Sequence, residues 1–399
     1  MKRPLFYYLI ALLGMTSCDS NPEELEVSSS LSFNQVMSTF GSNLDPTHIP
    51  NYANPDIPNY ISKDNTASNE LSDAGALLGR VLFYDKKLST TNTVSCASCH
   101  QQSLAFADNS MASAGVNGST ARHSMRLINA RYSDESSFFW DERASSLEEQ
   151  TTMPIQDHVE MGFSGANGDP GIDSLIIKLS QEGYYQELFT LAFGDEEINE
   201  TRMQNALAQF VRSIVSFDSK YDVGRASARN NNDDFSNFSE LENEGKRLFM
   251  QRAEFNSQGV RIGGGLDCNT CHRAPEFDID PNSRNNGLLT AIDGSEDNTV
   301  TRSPTLRDLF GISGEPNGPF MHNGFTTDFN DVLTHYESVV IGQNTDRRLS
   351  GDGGPGGSGP ANITRDLMIT DQERAAITAF MKTLTGTNVY SDPKWSDPF

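Results

Sequence analysis

Apolar residues recur at helical spacing at Met203, Leu207, Phe210, Val211, Ile214 and Val215, and Thr201 stands where an N-cap belongs. This predicts an amphipathic helix whose apolar stripe is core. Two further stretches look alike: Ala76 to Phe83 and Leu241 to Phe249 each carry Gly-x-x-Leu-Phe, at Gly79 and at Gly245. Each predicts a helix followed by a loop, and together they read as a degenerate internal repeat. Long alternating runs of β-branched residues are few. The chain is therefore expected to be mainly α, with long loops.

The N-terminus has its own pattern. Lys2 and Arg3 precede a short apolar run from Leu5 to Leu13, and Met15-Thr16-Ser17-Cys18 follows. The run is far short of the roughly 20 residues a spanning helix needs. Residues 1–18 read as a lipoprotein signal peptide ending at a lipidated Cys18. An ordinary secretory leader with a chance cysteine is the plainer alternative. Residues 19–69 read as a polar tether and then an irregular arm rich in Asn, Pro and Ser. Asn230-Asn231-Asn232-Asp233-Asp234 is the best internal boundary. It separates one domain at 70–225 from another at 235–399, both of ordinary size. Gly351 to Gly359 reads as a surface excursion, with no likeness to a phosphate loop.

A net charge of −24 argues against nucleic acid, which a basic patch would signal. It suits plain solubility, or a soluble partner with a basic face.

The cysteines change the picture most. Of five, four lie in two Cys-x-x-Cys-His motifs, Cys96-Ala97-Ser98-Cys99-His100 and Cys268-Asn269-Thr270-Cys271-His272. This is the attachment signal of c-type haem: the thiols add to the haem vinyl groups, and the histidine is the proximal iron ligand. A zinc ribbon pairs its Cys-x-x-Cys motifs roughly 15–20 residues apart, far closer than here. A thioredoxin-like motif would not explain the histidine twice. Two covalent haems and one lipid anchor use all five thiols, leaving none for a disulfide.

Haem alone does not make an enzyme. Splitting peroxide needs an open iron position and a group that takes the first peroxide proton and returns it to the leaving oxygen. A buried carboxylate can do this, because burial raises its pKa toward the working pH. The stretch Phe138-Phe139-Trp140-Asp141-Glu142-Arg143-Ala144, then Leu147-Glu148-Glu149-Gln150, Pro154 and Glu160-Met161, closely resembles the bacterial di-haem cytochrome c peroxidase and MauG family. Ser303-Pro304-Thr305-Leu306-Arg307-Asp308 and Pro319-Phe320-Met321-His322-Asn323-Gly324 resemble family segments too. The likeness covers about residues 70–390.

The resemblance implies two cytochrome c-like haem domains, peroxidatic at 70–225 and electron-transferring at 235–399. It implies Glu160 as the acid–base group, Gln150 as a positioning hydrogen-bonder and Trp140 as an electron relay between the haems. At the position of the second haem's sixth ligand the chain has Tyr336 where classical peroxidases have methionine; tyrosine there is the MauG type, with His335 and Met321 as rivals. A phenolate stabilises ferric iron. No histidine precedes Arg122 at the family's switch position. His123 stands at the asparagine position of a calcium site that the resemblance allows between the domains.

The expected activity is reduction of hydrogen peroxide to water, with electrons from a small cytochrome c or cupredoxin. The expected place is the periplasm-facing side of a cell-envelope membrane, held by the lipid on Cys18; a homodimer is among the assemblies the resemblance allows. The alternatives are MauG-like oxidation of a protein substrate, argued by Tyr336, and a non-catalytic di-haem electron-transfer protein. Gln150 and Glu160 speak against the last, since a wire needs no acid–base group.

Overall fold

The computed structural model describes residues 32–339, 341–342, 344–350 and 364–399. The leader with Cys18, the start of the tether and the glycine-rich stretch 351–359 lie outside the described residues. Residues 33–399 form one compact unit.

Eleven α-helices occur among the described residues. They are α1 (Asn34–Phe40), α2 (Asp73–Tyr84), α3 (Cys96–Cys99), α4 (Leu147–Thr152), α5 (Ile172–Ser180), α6 (Gly183–Phe193), α7 (Glu200–Ser213), α8 (Lys220–Ser227), α9 (Glu240–Met250), α10 (Phe329–Glu337) and α11 (Asp371–Lys382). Strands β1 (Ala253–Phe255) and β2 (Arg261–Gly264) pair antiparallel, as do β3 (His272–Arg273) and β4 (Asp278–Ile279). The chain is mainly α with long loops, as its pattern predicts.

Helices α2, α9 and α11 begin at side-chain caps. Ser72 accepts from the Gly75 N–H, and Ser239 and Thr370 form capping boxes with Glu242 and Glu373. The cap of α7 differs from expectation. Asn199, not Thr201, holds that place, its side chain accepting from the Arg202 N–H at 2.9 Å. Thr201 lies inside the first turn, and Asn is at least as good a cap. Ile214 and Val215 fall past the helix end. There the Ile214 carbonyl accepts from the Asn129 N–H at 2.8 Å, so the chain leaves the helix to pair elsewhere.

The repeat read in the sequence is a repeat in space. A side chain at Gly79 would meet the Ala206 carbonyl oxygen of α7 at 2.0 Å; one at Gly245 would meet the Ala376 carbonyl oxygen of α11 at 1.9 Å. Each glycine lets its helix cross a partner backbone to backbone. Phe83, four residues on, packs on Phe210 with ring centroids 5.1 Å apart, and Phe249 packs on Phe380 at 5.4 Å. A third ring completes each set, Phe106 in one and Phe277 in the other, and both take left-handed backbone angles.

Two main hydrophobic clusters result. One gathers α1, α2, α6 and α7; the other gathers α9, α10 and α11. Tyr221, on α8, belongs to the second cluster, and Val389 and Trp395 return to the first. The segment 235–399 therefore contributes to both. The arm is not wholly irregular: α1 buries Val36 and Phe40 in the first cluster. The arm also stitches the clusters together. The Tyr52 and Ala53 N–H groups donate to Asp73, the Tyr60 hydroxyl donates to Asp222, and Lys63 pairs with Asp278.

Candidate functional site

The first haem motif folds as α3, capped by Ser95, so one helical turn carries both thiols. A reversed loop follows, and the left-handed Phe106 turns its carbonyl back to His100, whose Nδ1–H donates to it at 3.3 Å. With its proton on Nδ1, the ring keeps a lone pair on Nε2, the nitrogen a haem iron would need. Burial holds His100 down to about 4, so the imidazole is neutral, as a ligand must be. In the second motif a 3-10 turn carries Cys268, entered through the left-handed Asp267, and His272 opens β3. Burial lowers His272 to about 4 as well.

Each motif opens on a cavity. The first, about 80 Å³, is lined by Cys96, Cys99, His100, Gln150, Pro154 and Glu160. The sequence-predicted acid–base pair thus shares one chamber with the first haem motif. Gln150 sits on α4, which starts at the Ser146 cap and is pinned to α7 by Arg212 and Glu148. Glu160 sits on a loop. Its N–H donates to Asp157 at 2.9 Å, and its carbonyl accepts from Val116 at 3.0 Å. A side chain at Gly115 would meet the Val159 carbonyl oxygen at 2.1 Å, so only glycine lets the 114–119 turn close on this loop. Burial first, and the charge of Asp157 second, push the Glu160 carboxyl up to about 7, while Arg143 opposes them.

The second cavity is larger, about 180 Å³, far beyond the voids of a packed core. Cys268, Cys271, His272, Trp140, Met321 and Tyr336 line it. Tyr336 is held by Asn286, whose side-chain Nδ2 lies 3.3 Å from the phenol oxygen. His335 points to other work: its Nε2–H donates to the Asn286 carbonyl at 3.0 Å.

Trp140 is clamped from both ends. Its indole N–H donates to the His123 carbonyl at 2.7 Å, and its own carbonyl accepts from the Thr301 and Arg302 N–H groups at 2.9 and 3.0 Å. It lines the second cavity. The segment it holds touches both, since Ser124 lines the first cavity and the second. His123 is buried on the second cavity, its Nδ1–H donating to the Ser110 carbonyl at 2.9 Å.

Arg126, Arg302 and Arg365 also face the second cavity, and each keeps a buried N–H without a partner. Unpaired buried guanidinium donors are costly unless an acceptor arrives. Haem propionates are acceptors of the right charge, so the residues present fit the group. Sequence reasoning missed these arginines and Asn286. Arg302 adjoins the Ser-Pro-Thr-Leu-Arg segment and could have been found there; Arg365 and Asn286 carry no local signal.

A sequence profile described as di-haem cytochrome c peroxidase matches residues 73–230. The chain is 30% identical over 283 residues to the methylamine utilization protein MauG of Methylophilus methylotrophus, covering 69% of this chain and 75% of that one. It is 26% identical over 331 residues to the cytochrome c551 peroxidase of Nitrosomonas europaea, covering 78% and 80%. Among solved structures, a MauG-like protein associated with microbial copper homeostasis superimposes with a TM-score of 0.63 at 26% identity, covering 86% of this chain and 99% of that one. The diheme peroxidase BthA of Burkholderia thailandensis shares the fold, with a TM-score of 0.55 at 21% identity over 84% and 92%. With two haem-attachment motifs, each opening on its own cavity, the chain belongs to the di-haem cytochrome c peroxidase/MauG family.

Proposed function

We propose that this protein is a di-haem peroxidase that reduces hydrogen peroxide to two waters with two electrons and two protons. The observation that carries this reading is the convergence of Gln150 and Glu160 on the cavity of Cys96, Cys99 and His100. Cys96, Cys99 and His100 would hold the first haem, whose iron would supply peroxide binding and electron exchange. Glu160 does the proton work. Its carboxylate would take the proton from one peroxide oxygen and return it to the other, which leaves as water when the O–O bond breaks; the donor's two electrons and two solvent protons would complete the second water. A pKa of about 7 suits both halves of that transfer. Gln150 orients peroxide by hydrogen bonding. Cys268, Cys271, His272 and Tyr336 would hold the second haem, and Trp140, on the same cavity, would carry electrons from it.

A small cytochrome c or cupredoxin with a basic face suits the donor role, given the charge of −24. The Met15–Cys18 sequence supports a lipid anchor facing the periplasm. No described helix is long and apolar enough to cross a membrane. Calcium between the haem segments fits poorly. Asp141 and Asp297 both pair with Arg122, and His123 is bound to Ser110. No group of three His, Cys, Asp or Glu among the described residues is placed to hold a metal.

Steady-state turnover with peroxide and a reduced small cytochrome tests the reading; oxidation of the cytochrome in step with peroxide loss is expected. Tyr336 favours a second reading, MauG-like oxidation of a protein substrate. That reading prevails if peroxide is consumed only when a protein substrate is oxidised.

A further inference from the structure

We propose that Asn286 selects the sixth ligand of the second haem, its amide holding the Tyr336 phenol oxygen with one N–H and the reserve ligand Met321 with the other. The inference rests on the reading of Tyr336 as that ligand.

The Asn286 Nδ2 lies 3.3 Å from Tyr336 Oη and 3.4 Å from Met321 Sδ. All three residues line the cavity of Cys268, Cys271 and His272. The orientation of the amide is fixed by its own backbone: Oδ1 accepts from the Leu288 N–H at 3.1 Å, which turns the NH₂ group toward the two rivals. An amide nitrogen has two hydrogens, so it can serve both acceptors at once. The same residue disposes of the third rival, because its carbonyl takes the Nε2–H of His335. One asparagine thus touches every side chain that competes for the position.

Met321 is held in an unusual way. Its φ is +68°, a left-handed conformation rare for a bulky residue, and its carbonyl accepts from the Gly324 N–H. Such geometry persists where the surroundings fix it, and it clusters at functional sites. Here it keeps the sulfur on the cavity wall, tied to Asn286.

The electronic consequence follows from ligand chemistry. A phenolate on ferric iron accepts a hydrogen bond strongly, since it is charged. That bond draws electron density off the oxygen and weakens its donation to the metal. Without it the oxygen donates more, which favours the ferric state and lowers the potential. A thioether in its place is neutral and raises the potential.

The test uses the two-haem holoprotein, with optical spectra and potentiometry of each haem. Wild type is expected to show a phenolate-to-ferric charge-transfer band. Asn286→Ala should move that band to longer wavelength and lower the potential of the second haem alone. Tyr336→Phe should instead give a thioether-to-ferric band and a raised potential, both lost in Tyr336→Phe/Met321→Leu. If wild type lacks the phenolate band, the assignment of Tyr336 fails and takes this proposal with it. If the band is present but unmoved in Asn286→Ala, or Tyr336→Phe shows no thioether signature, the role of Asn286 is overturned while Tyr336 stands.

Discussion

The indole N–H of Trp140 donates to the carbonyl oxygen of His123 at 2.7 Å, and the His123 N–H donates in turn to the His322 carbonyl at the same distance. This pins a segment that reaches both cavities, since Ser124 follows His123 and lines each of them. The Trp140 ring also meets the His322 ring edge-on, 6.2 Å between centroids. A redox-active ring on the wall of the second cavity, bonded to the segment that reaches the first, suits the proposed relay. Trp140→Phe keeps an aromatic ring on the cavity wall but loses the easily oxidised indole together with its N–H bond to His123. Both haem spectra should stay near wild type while peroxide turnover falls at least about tenfold, about 1.4 kcal/mol on the barrier. Stopped-flow reoxidation of the second haem checks it.

The two helix crossings give a stability test. Gly79→Ala and Gly245→Ala each drive a methyl group into a carbonyl oxygen of the partner helix. Each should cost about 1–3 kcal/mol, the usual scale of overpacking. Equal costs at the two sites, read by chemical denaturation, would bear on the repeat itself.

Arg307 is fully buried, and its guanidinium grips Asp222 with two bonds of 2.9 Å. Burial alone would raise the Asp222 carboxyl, but Arg307 and the hydroxyls of Ser219 and Tyr60 outweigh it and hold the group below 3.8. A carboxyl lowered by folding contributes stability above its unfolded pKa. That stability is lost as pH falls below about 3.8 toward the folded value. Asp222→Asn should cost about 3–5 kcal/mol at neutral pH, because it strands a buried cation. It should also flatten the acid limb of the stability profile.

Much of this was legible in the chain, for identifiable reasons. The haem motifs are local in sequence, and so are the helix–glycine–phenylalanine stretches before them. Gln150 and Glu160 lie ten residues apart, and Pro154 between them lines the same cavity. What was not legible depends on distant contacts. Asn286 acquires its meaning from Tyr336, 50 residues on, and from Met321. Arg365 acquires its meaning from a cavity built by other segments. The α7 cap was misread because Thr and Asn are both good caps, and only the Arg202 N–H decides between them. The return of Trp395 to the first core rests on long-range bonds, such as that from the Tyr84 hydroxyl to its carbonyl.

The buried place of His123 bears on the resting state. Its Nδ1 is occupied by Ser110, and it faces the second cavity rather than the first. The fully ferric protein should therefore react with peroxide without pre-reduction. Two low-spin haems that respond only after one is reduced would contradict this.

The central claim is that Glu160 moves the peroxide proton. The most direct measurement is kcat/KM for peroxide against pH, in wild type and Glu160→Gln, each verified to carry two haems by pyridine haemochrome. Glu160 must be deprotonated to accept the first proton, and its pKa is about 7, so wild-type kcat/KM should fall as pH drops below about 7. Glu160→Gln should lose about 10²-fold or more at neutral pH, and lose that pH limb with it. Unchanged turnover in Glu160→Gln at full haem content, with the same pH profile as wild type, would contradict the account.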